Sequence, residues 1–432
     1  MEGHRTGELA VEQIAEASEG GDAVIRSGTA RSALRHRDFR IFWGGMFASN
    51  IGTWMQNVII GAYLQKNFDN AGLLGLKEFV QLGPLVFLSM LAGTIADIVD
   101  RRRYLVSMQC LQVAGSLVLA FVVASDSPSA APILACMLGI GLANAMGGPG
   151  MSAISPSLVP PEDLPGAISL FSFQMNMSRV IGPVIGQVLY ASTDSNAGAS
   201  AVFIVNAATY GFAIYGLLTA RYPRRAGGHS GIGVLRRIEE GFSLAWNDVL
   251  LRRVLFVIWT LSLLSLNFIS FMPLHAVRNL GIDPKSEPYG VLYAVFGFGA
   301  AAGAMSVGSI FASRDKAALI RPGLMCFAVL LFAFAATRVE WVAYPIVCLL
   351  GYAYFLTITS LSTVMQAHIT NEVRGRVMAL WIMGFGGAVG VAAAIWSPVA
   401  EWSVSKLMYG GAAWAVVLAI LATPRWLHTQ EA

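Results

Sequence analysis

Apolar residues in this chain gather into runs of about twenty, with the polar residues confined to short gaps between them. The runs lie near 41–64, 73–96, 104–124, 132–156, 165–191, 199–220, 254–276, 288–312, 318–337, 341–364, 375–399 and 402–423, numbered spans 1 to 12 in that order. A helix of about 20 apolar residues crosses a hydrocarbon core of roughly 30 Å. The pattern predicts an all-α integral membrane protein with twelve transmembrane helices in two pseudo-symmetric six-helix bundles. An even number of crossings puts both termini on one side.

Composition and charge sharpen this picture. Of 432 residues, 56% are hydrophobic and 12% charged, against about a quarter charged in soluble domains. Most of the 29 Lys and Arg fall in gaps at one end of the spans, with Arg101, Arg102 and Arg103 the tightest group. Positive charge favours the cytoplasmic side, so both termini are expected there, with membrane lipid around the spans. The net charge of +4 then belongs to loops facing anionic lipid, and no nucleic-acid surface is implied. Cys110, Cys136, Cys326 and Cys348 all lie in spans and read as small buried apolar residues without a disulfide framework. The histidines share no metal-ligand spacing, and no phosphate-binding glycine loop precedes a Lys-Ser or Lys-Thr pair. Neither an enzyme nor a cofactor or metal is expected.

Residues 1–32 read as a disordered polar tail, 33–220 as the first bundle, 221–253 as a linker, 254–423 as the second bundle and 424–432 as a short tail. Within the linker, Ile238, Phe242, Ala245 and Val249 recur at helical spacing among Arg236, Arg237, Glu239 and Glu240. That predicts an amphipathic helix over 235–251, lying on the inner membrane face. The halves repeat weakly at a shift of 210 residues: Gly93 matches Gly303, Gly141 matches Gly351, Glu162 matches Glu372, and Leu170-Phe171 matches Leu380-Trp381. Two related six-span halves place a binding site at their interface, near the bilayer midplane.

Polar residues inside the spans are the candidates for chemistry. Arg179 lies mid-way along span 5, where a charge costs about 2.5–3.5 kcal/mol on insertion scales. Asn176 shares its face, three residues away. The pair reads as a substrate or coupling group, or as an anchor between helices. Asn50, Trp54 and Asn57 form a polar-aromatic stripe on span 1, with Tyr289 and Tyr293 on span 8 and Thr359, Thr363 and Gln366 on span 10. Such a lining suits a bulky, mostly apolar ligand with scattered polar groups. Gly182-Pro183-x-x-Gly186 predicts close packing or a kink in span 5. Glu78, near the outer end of span 2, is the candidate proton carrier, or an outer-face charge paired with Lys77.

Between spans 2 and 3 stands Gly93-Thr-Ile-Ala-Asp97-Ile-Val-Asp100-Arg101-Arg102-Arg103. This stretch resembles the loop between helices 2 and 3 of the major facilitator superfamily of secondary transporters, with Ile98 and Asp100 replacing the usual Arg and Gly. Its form is similar to the transmembrane secretion effector branch, which includes enterobactin exporters and macrolide efflux proteins. Asn50 to Gln56, Asn176 to Gly186, and Val364 to Leu380 resemble the same branch, so the likeness runs from about residue 33 to 423. The resemblance implies a cavity lined by spans 1, 4, 7 and 10, which adds Asn144 and Asn267. It implies a cytoplasmic latch formed by Gly93, Asp97, Asp100, Arg101 and Arg102. When the cytoplasmic side is shut, Asp97 and Asp100 are expected to engage the start of span 11 near Arg374 and Arg376, and pseudo-symmetry predicts a mirror contact of Arg314 or Lys316 with Glu162 and Asp163. Gly182-Pro183-x-x-Gly186 is similar to a signature of antiporting exporters, although Gln187 replaces its final Gly. The expectation is a monomeric proton antiporter in a bacterial cytoplasmic membrane, exporting a siderophore, macrolide or other small amphipathic molecule. Solute uptake, and a transporter-like receptor or scaffold, are the alternatives.

Overall fold

The computed structural model describes residues 28–125, 127–222, 234–423 and 426. Among these residues every regular element is helical. Spans 1 to 6 are Arg37–Phe68, Ala71–Ile98, Arg101–Val123, Ala130–Ile154, Leu164–Ala191 and Ser195–Thr219. Spans 8, 9 and 10 are Glu287–Gly308, Lys316–Ala336 and Glu340–His368. Span 11 starts at Asn371–Ile382, widens through a π-type turn at Met383–Gly387 and continues into Ala388–Leu421. Nine helices among the described residues have the length and apolarity to cross a membrane. One of them, Val373–Leu421, covers 49 residues and turns at Ser403, where the backbone is extended, so it supplies spans 11 and 12. Spans 1 and 5, of 32 and 28 residues, have the length but carry more polar side chains, including Asn50, Asn57, Asn176 and Arg179. The chain is a multi-pass membrane protein, and these helices agree with twelve crossings.

The internal repeat is visible in the packing. In the first half, Gly141 brings span 4 onto span 2, where an added Cβ would lie 2.6 Å from the Gln81 carbonyl oxygen. In the second, Gly351 brings span 10 onto span 8, with a Cβ 2.4 Å from the Phe296 carbonyl oxygen. Trp43 of span 1 donates its indole N–H to the Leu170 carbonyl of span 5 at 3.0 Å. Trp259 of span 7 donates likewise to Leu380 of span 11 at 3.2 Å. Asp100 and Asp315 cap spans 3 and 9, accepting from the Arg103 and Ala317 N–H groups; such a cap contributes about 0.5–2 kcal/mol. The halves meet where span 2 packs on span 11 and span 5 on span 8.

Several expectations change. Span 7 is not one run over 254–276: it comprises Val249–Leu264, Asn267–Ser270 and Met272–Leu280. It begins early because Asp248 accepts from the Leu251 N–H at 2.9 Å and so caps it. The same cap ends the linker helix at Val234–Asn247 rather than at 251. Ala245 of that helix is buried, while Phe242 and Trp246 are exposed. The tail is ordered before residue 33: Ala30–Ala33 is a helical turn, and Gly28 N–H donates to Asp163 at 2.9 Å. Residues 1–27 and 223–233 lie outside the described residues. None of the four cysteines is buried; Cys110 and Cys326 are exposed. The outward face of a span meets hydrocarbon, so an apolar residue there is as well placed as one in the core.

Candidate functional site

Arg179 projects from span 5 into the space between the halves. Its guanidinium lies over the Phe355 ring of span 10 at 4.2 Å and the Trp54 ring of span 1 at 5.4 Å. Contacts of this kind contribute about 0.5–2 kcal/mol each. The Asn176 side-chain oxygen accepts from Arg179 at 3.4 Å, a long and weak bond. Asn176 is itself turned back, donating to the Ser172 carbonyl at 2.8 Å. Among the described residues no carboxylate lies within ion-pair distance of Arg179. Its buried Nε–H also has no acceptor. A cation flanked by two aromatic faces is thus available to an incoming anion.

Other candidates spread along the same space. Asn50 donates to the Met175 sulfur at 3.6 Å, and Asn57 accepts from Gln81 of span 2 at 2.6 Å. On span 10, Thr363 bonds its own helix at the Thr359 carbonyl, and Gln366 donates to Ser362. Tyr289 is fully buried and Tyr293 nearly so, their hydroxyls 3.5 Å apart. Asn144 is exposed, whereas Asn267 is buried at a break of span 7 and donates to the Leu263 carbonyl. The structure therefore joins Trp54, Asn176 and Arg179 at one point, leaves Asn267 buried in the second bundle, and buries Tyr289 beside Gly290, which packs on Gln187 of span 5. Phe355 was missed from sequence. It precedes Thr359 by four residues and so extends the same stripe.

Glu78 is bonded to Lys77 at 2.8 Å, with side-chain exposures of 15% and 4%. Both charges are therefore largely out of solvent, in contrast to a simple outer-face pair. Gly182 and Gly186 are packing residues: a Cβ on Gly182 would lie 2.6 Å from Trp54 Cβ, and one on Gly186 3.2 Å from Met55 Cα. Helix Leu164–Ala191 runs unbroken through Pro183. Gln187, the departure from the exporter signature, donates to the Pro284 and Ser286 carbonyls of the other half.

At the expected latch, the inner end of span 2 lies against the start of span 11. The surroundings of Gly93 and of the Asp97 side chain lie outside the described residues. Arg102 donates to the Leu218 and Ala220 carbonyls and lies over Tyr222, all within the first half. Asp100 caps span 3, the Arg101 Nε–H has no acceptor, and Arg374 is exposed while Arg376 is partly buried. The mirror contact, expected when the cytoplasmic side is shut, is not among the contacts of the described residues in this structure. Asp163 accepts from His36 at 2.8 Å and from Gly28, while Lys316 donates to the Phe311, Ala312 and Arg314 carbonyls. Glu162 and Arg314 are exposed. Asp163 and Lys316 have each found a nearer partner in their own half.

Sequence reasoning also missed a rim of polar contacts between the halves, on the face termed outer after the expected orientation. Lys66 pairs with Asp283 at 2.7 Å. Arg278 pairs with Glu401 at 2.7 Å and with Asp69 at 3.2 Å, and Glu401 accepts from the Ala71 N–H at 2.7 Å. Lys285 donates to the Thr193 carbonyl. These contacts bridge the two halves along that face.

Residues 28–431 match the family described as transmembrane secretion effector. The chain belongs to that family. Over 386 residues this family member is 24% identical to the enterobactin exporter EntS of Salmonella typhimurium, covering 86% of this chain and 89% of that one. A staphyloferrin A transporter of Staphylococcus aureus is 32% identical over 155 residues, 35% of this chain and 38% of its own. Among solved structures, a D-xylose-proton symporter superposes with a TM-score of 0.70 at 12% identity, covering 90% of this chain and 97% of that one. A bacterial homologue of the human lysosomal transporter Spinster, inward-facing and unoccupied, superposes at 0.66 and 15% identity, covering 91% and 96%. The secretion effector has the major facilitator fold and is a membrane transporter, not an enzyme.

Proposed function

We propose that this transporter exports a small amphipathic molecule bearing an acidic group, of the siderophore class, across a bacterial cytoplasmic membrane. The supporting observation is Arg179, a cation between the halves, stacked by Trp54 and Phe355, with no carboxylate at ion-pair distance among the described residues. A carboxylate or phenolate completes the charge, and an aromatic or apolar body fills the space beside the rings. The relatives named for enterobactin and staphyloferrin A agree with that ligand chemistry. Both termini lie in the cytoplasm, and the monomer works by alternating access, with protons as the counter-ion and Glu78 as their carrier. The buried Lys77–Glu78 pair supports that role, because protonating Glu78 dissolves the pair and changes the charge between the halves.

Purified protein in liposomes, with an imposed pH gradient, tests this reading. The wild type is expected to move an acidic siderophore but not its neutral ester, and Arg179→Gln to move neither. Glu78→Gln is expected to stop gradient-driven movement and to spare exchange of labelled for unlabelled ligand. Equal transport of acid and ester, unaffected by Arg179→Gln, would overturn the ligand assignment.

A further inference from the structure

A second cavity lies away from Arg179, on the flank of the second bundle where spans 7, 11 and 12 meet. It has a volume of about 410 Å³, and its walls include Leu264, Trp396, Trp414 and Val417. Its floor is the pair Gly410-Gly411. The two glycines have different surroundings. A Cβ on Gly411 would lie 3.0 Å from the Leu264 carbonyl oxygen, so span 12 needs glycine there to approach span 7. A Cβ on Gly410 would meet nothing within 4 Å. Helix contact therefore explains Gly411 and leaves Gly410 as open groove.

The groove opens outward, since Gly410 and Ala413 are exposed and Val417 is 41% exposed. At this depth the surrounding medium is hydrocarbon. Lys406 stands at the outer end of the groove, three residues past the turn at Ser403, with its Nζ 3.7 Å over the Trp402 ring. Among the described residues Lys406 has no carboxylate partner. An apolar trough with a cation at the headgroup level at its end matches two parts of an anionic phospholipid, the acyl chain and the phosphate. We propose that this groove is a binding site for one anionic phospholipid of the outer leaflet. The acyl chain lies over Gly410 between Trp396 and Trp414, and the phosphate lies at Lys406. A net negative headgroup is preferred because it brings no cation of its own to compete with the lysine. This inference is independent of the transported ligand.

Native mass spectrometry of the full-length protein, purified in detergent and incubated with phosphatidylglycerol or phosphatidylcholine, tests it, with thermal unfolding as a parallel readout. The wild type is expected to retain one phosphatidylglycerol and to gain several degrees in its unfolding midpoint, with phosphatidylcholine retained at least fivefold less. Lys406→Gln is expected to bind the two lipids alike. Gly410→Leu, whose Cβ meets nothing within 4 Å and whose side chain occupies the groove, is expected to lose the retained lipid while unfolding at the lipid-free midpoint of the wild type. Equal retention of both lipids by the wild type would overturn the site, whatever the variants do. So would phosphatidylglycerol bound as well by Gly410→Leu as by the wild type, or an equal midpoint gain from inorganic phosphate alone.

Discussion

Holding Arg179 near mid-membrane costs about 2.5–3.5 kcal/mol on insertion scales, and its two aromatic faces offset part of that. Because the guanidinium is flat, Arg179→Lys keeps the charge but loses the stacking. Ligand affinity is expected to fall roughly tenfold, about 1.4 kcal/mol, in a direct binding measurement, with Arg179→Gln weaker still. At the inner face, the Asp163 carboxyl is held down to about 2 by the His36 hydrogen bond first and by the Gly28 N–H next. A lowered carboxyl contributes fully above the ordinary Asp value of about 3.9 and loses its contribution as pH falls through about 2. Hydrogen exchange of residues 28–36 should therefore stay protected at pH 5 and open between about pH 4 and pH 2. Asp163→Asn should open the segment at neutral pH. Unchanged protection in that variant would show that the close seat of Gly166 against Thr29 holds the segment alone. Arg179 was legible in sequence because a charge in an apolar run is conspicuous. The exposure of Cys110 and Cys326 was not, since core and lipid-facing positions share one polarity.

Among the helices, hydrophobic run length located the spans but not their interruptions. The breaks of span 7 near Ser265 and Phe271 fall within an apolar stretch, where nothing in the pattern marks a stop. The repeat at 210 residues carried more information than its few matches suggested: Gly141 and Gly351 make equivalent approaches, and Leu170 and Leu380 accept equivalent tryptophan bonds. Glycine is also required where the halves touch. A Cβ on Gly297 of span 8 would lie 2.5 Å from the Arg179 carbonyl oxygen of span 5, and backbone cannot yield as a flexible side chain can. Gly297→Ala is expected to cost about 1–3 kcal/mol by overpacking, seen as a lower unfolding midpoint together with slower transport. Gly139→Ala is the control, because a Cβ there meets nothing within 4 Å. It should leave transport intact and stabilise the helix by about 0.5–1 kcal/mol.

Across the whole molecule, the proposed alternating access requires the outer rim to yield before the halves can expose their shared space outward. Its charged members come from helices and loops far apart in the chain, so no local pattern announced them; only the fold brings Asp69, Arg278 and Glu401 together. The ion pairs are partly exposed, with Asp69 at 62% and Asp283 at 55%, and such pairs contribute about 0–1 kcal/mol each. A rim of this strength can open without stranding a buried charge. Partial burial acts upward on the Asp283 carboxyl, but the Lys66 ammonium and the Lys285 backbone N–H outweigh it and hold the group below the ordinary range. Its contribution is therefore present at neutral pH and lost only on the acid side. Arg278 is the hub, donating to Asp69 and Glu401 side chains and to both their carbonyls. Arg278→Ala should remove about 1–2 kcal/mol from the closed rim, a factor of about 5–30 in the population opened outward. The measurement is the labelling rate of Asn57→Cys by an impermeant thiol reagent added outside, in protein with Cys110 and Cys326 changed to Ala. Faster labelling in Arg278→Ala, slowed again by added ligand, places the rim in control of outward access. An unchanged rate would mean that the helix contacts at Gly297 and Gly290, and not the ion pairs, keep the outer side shut.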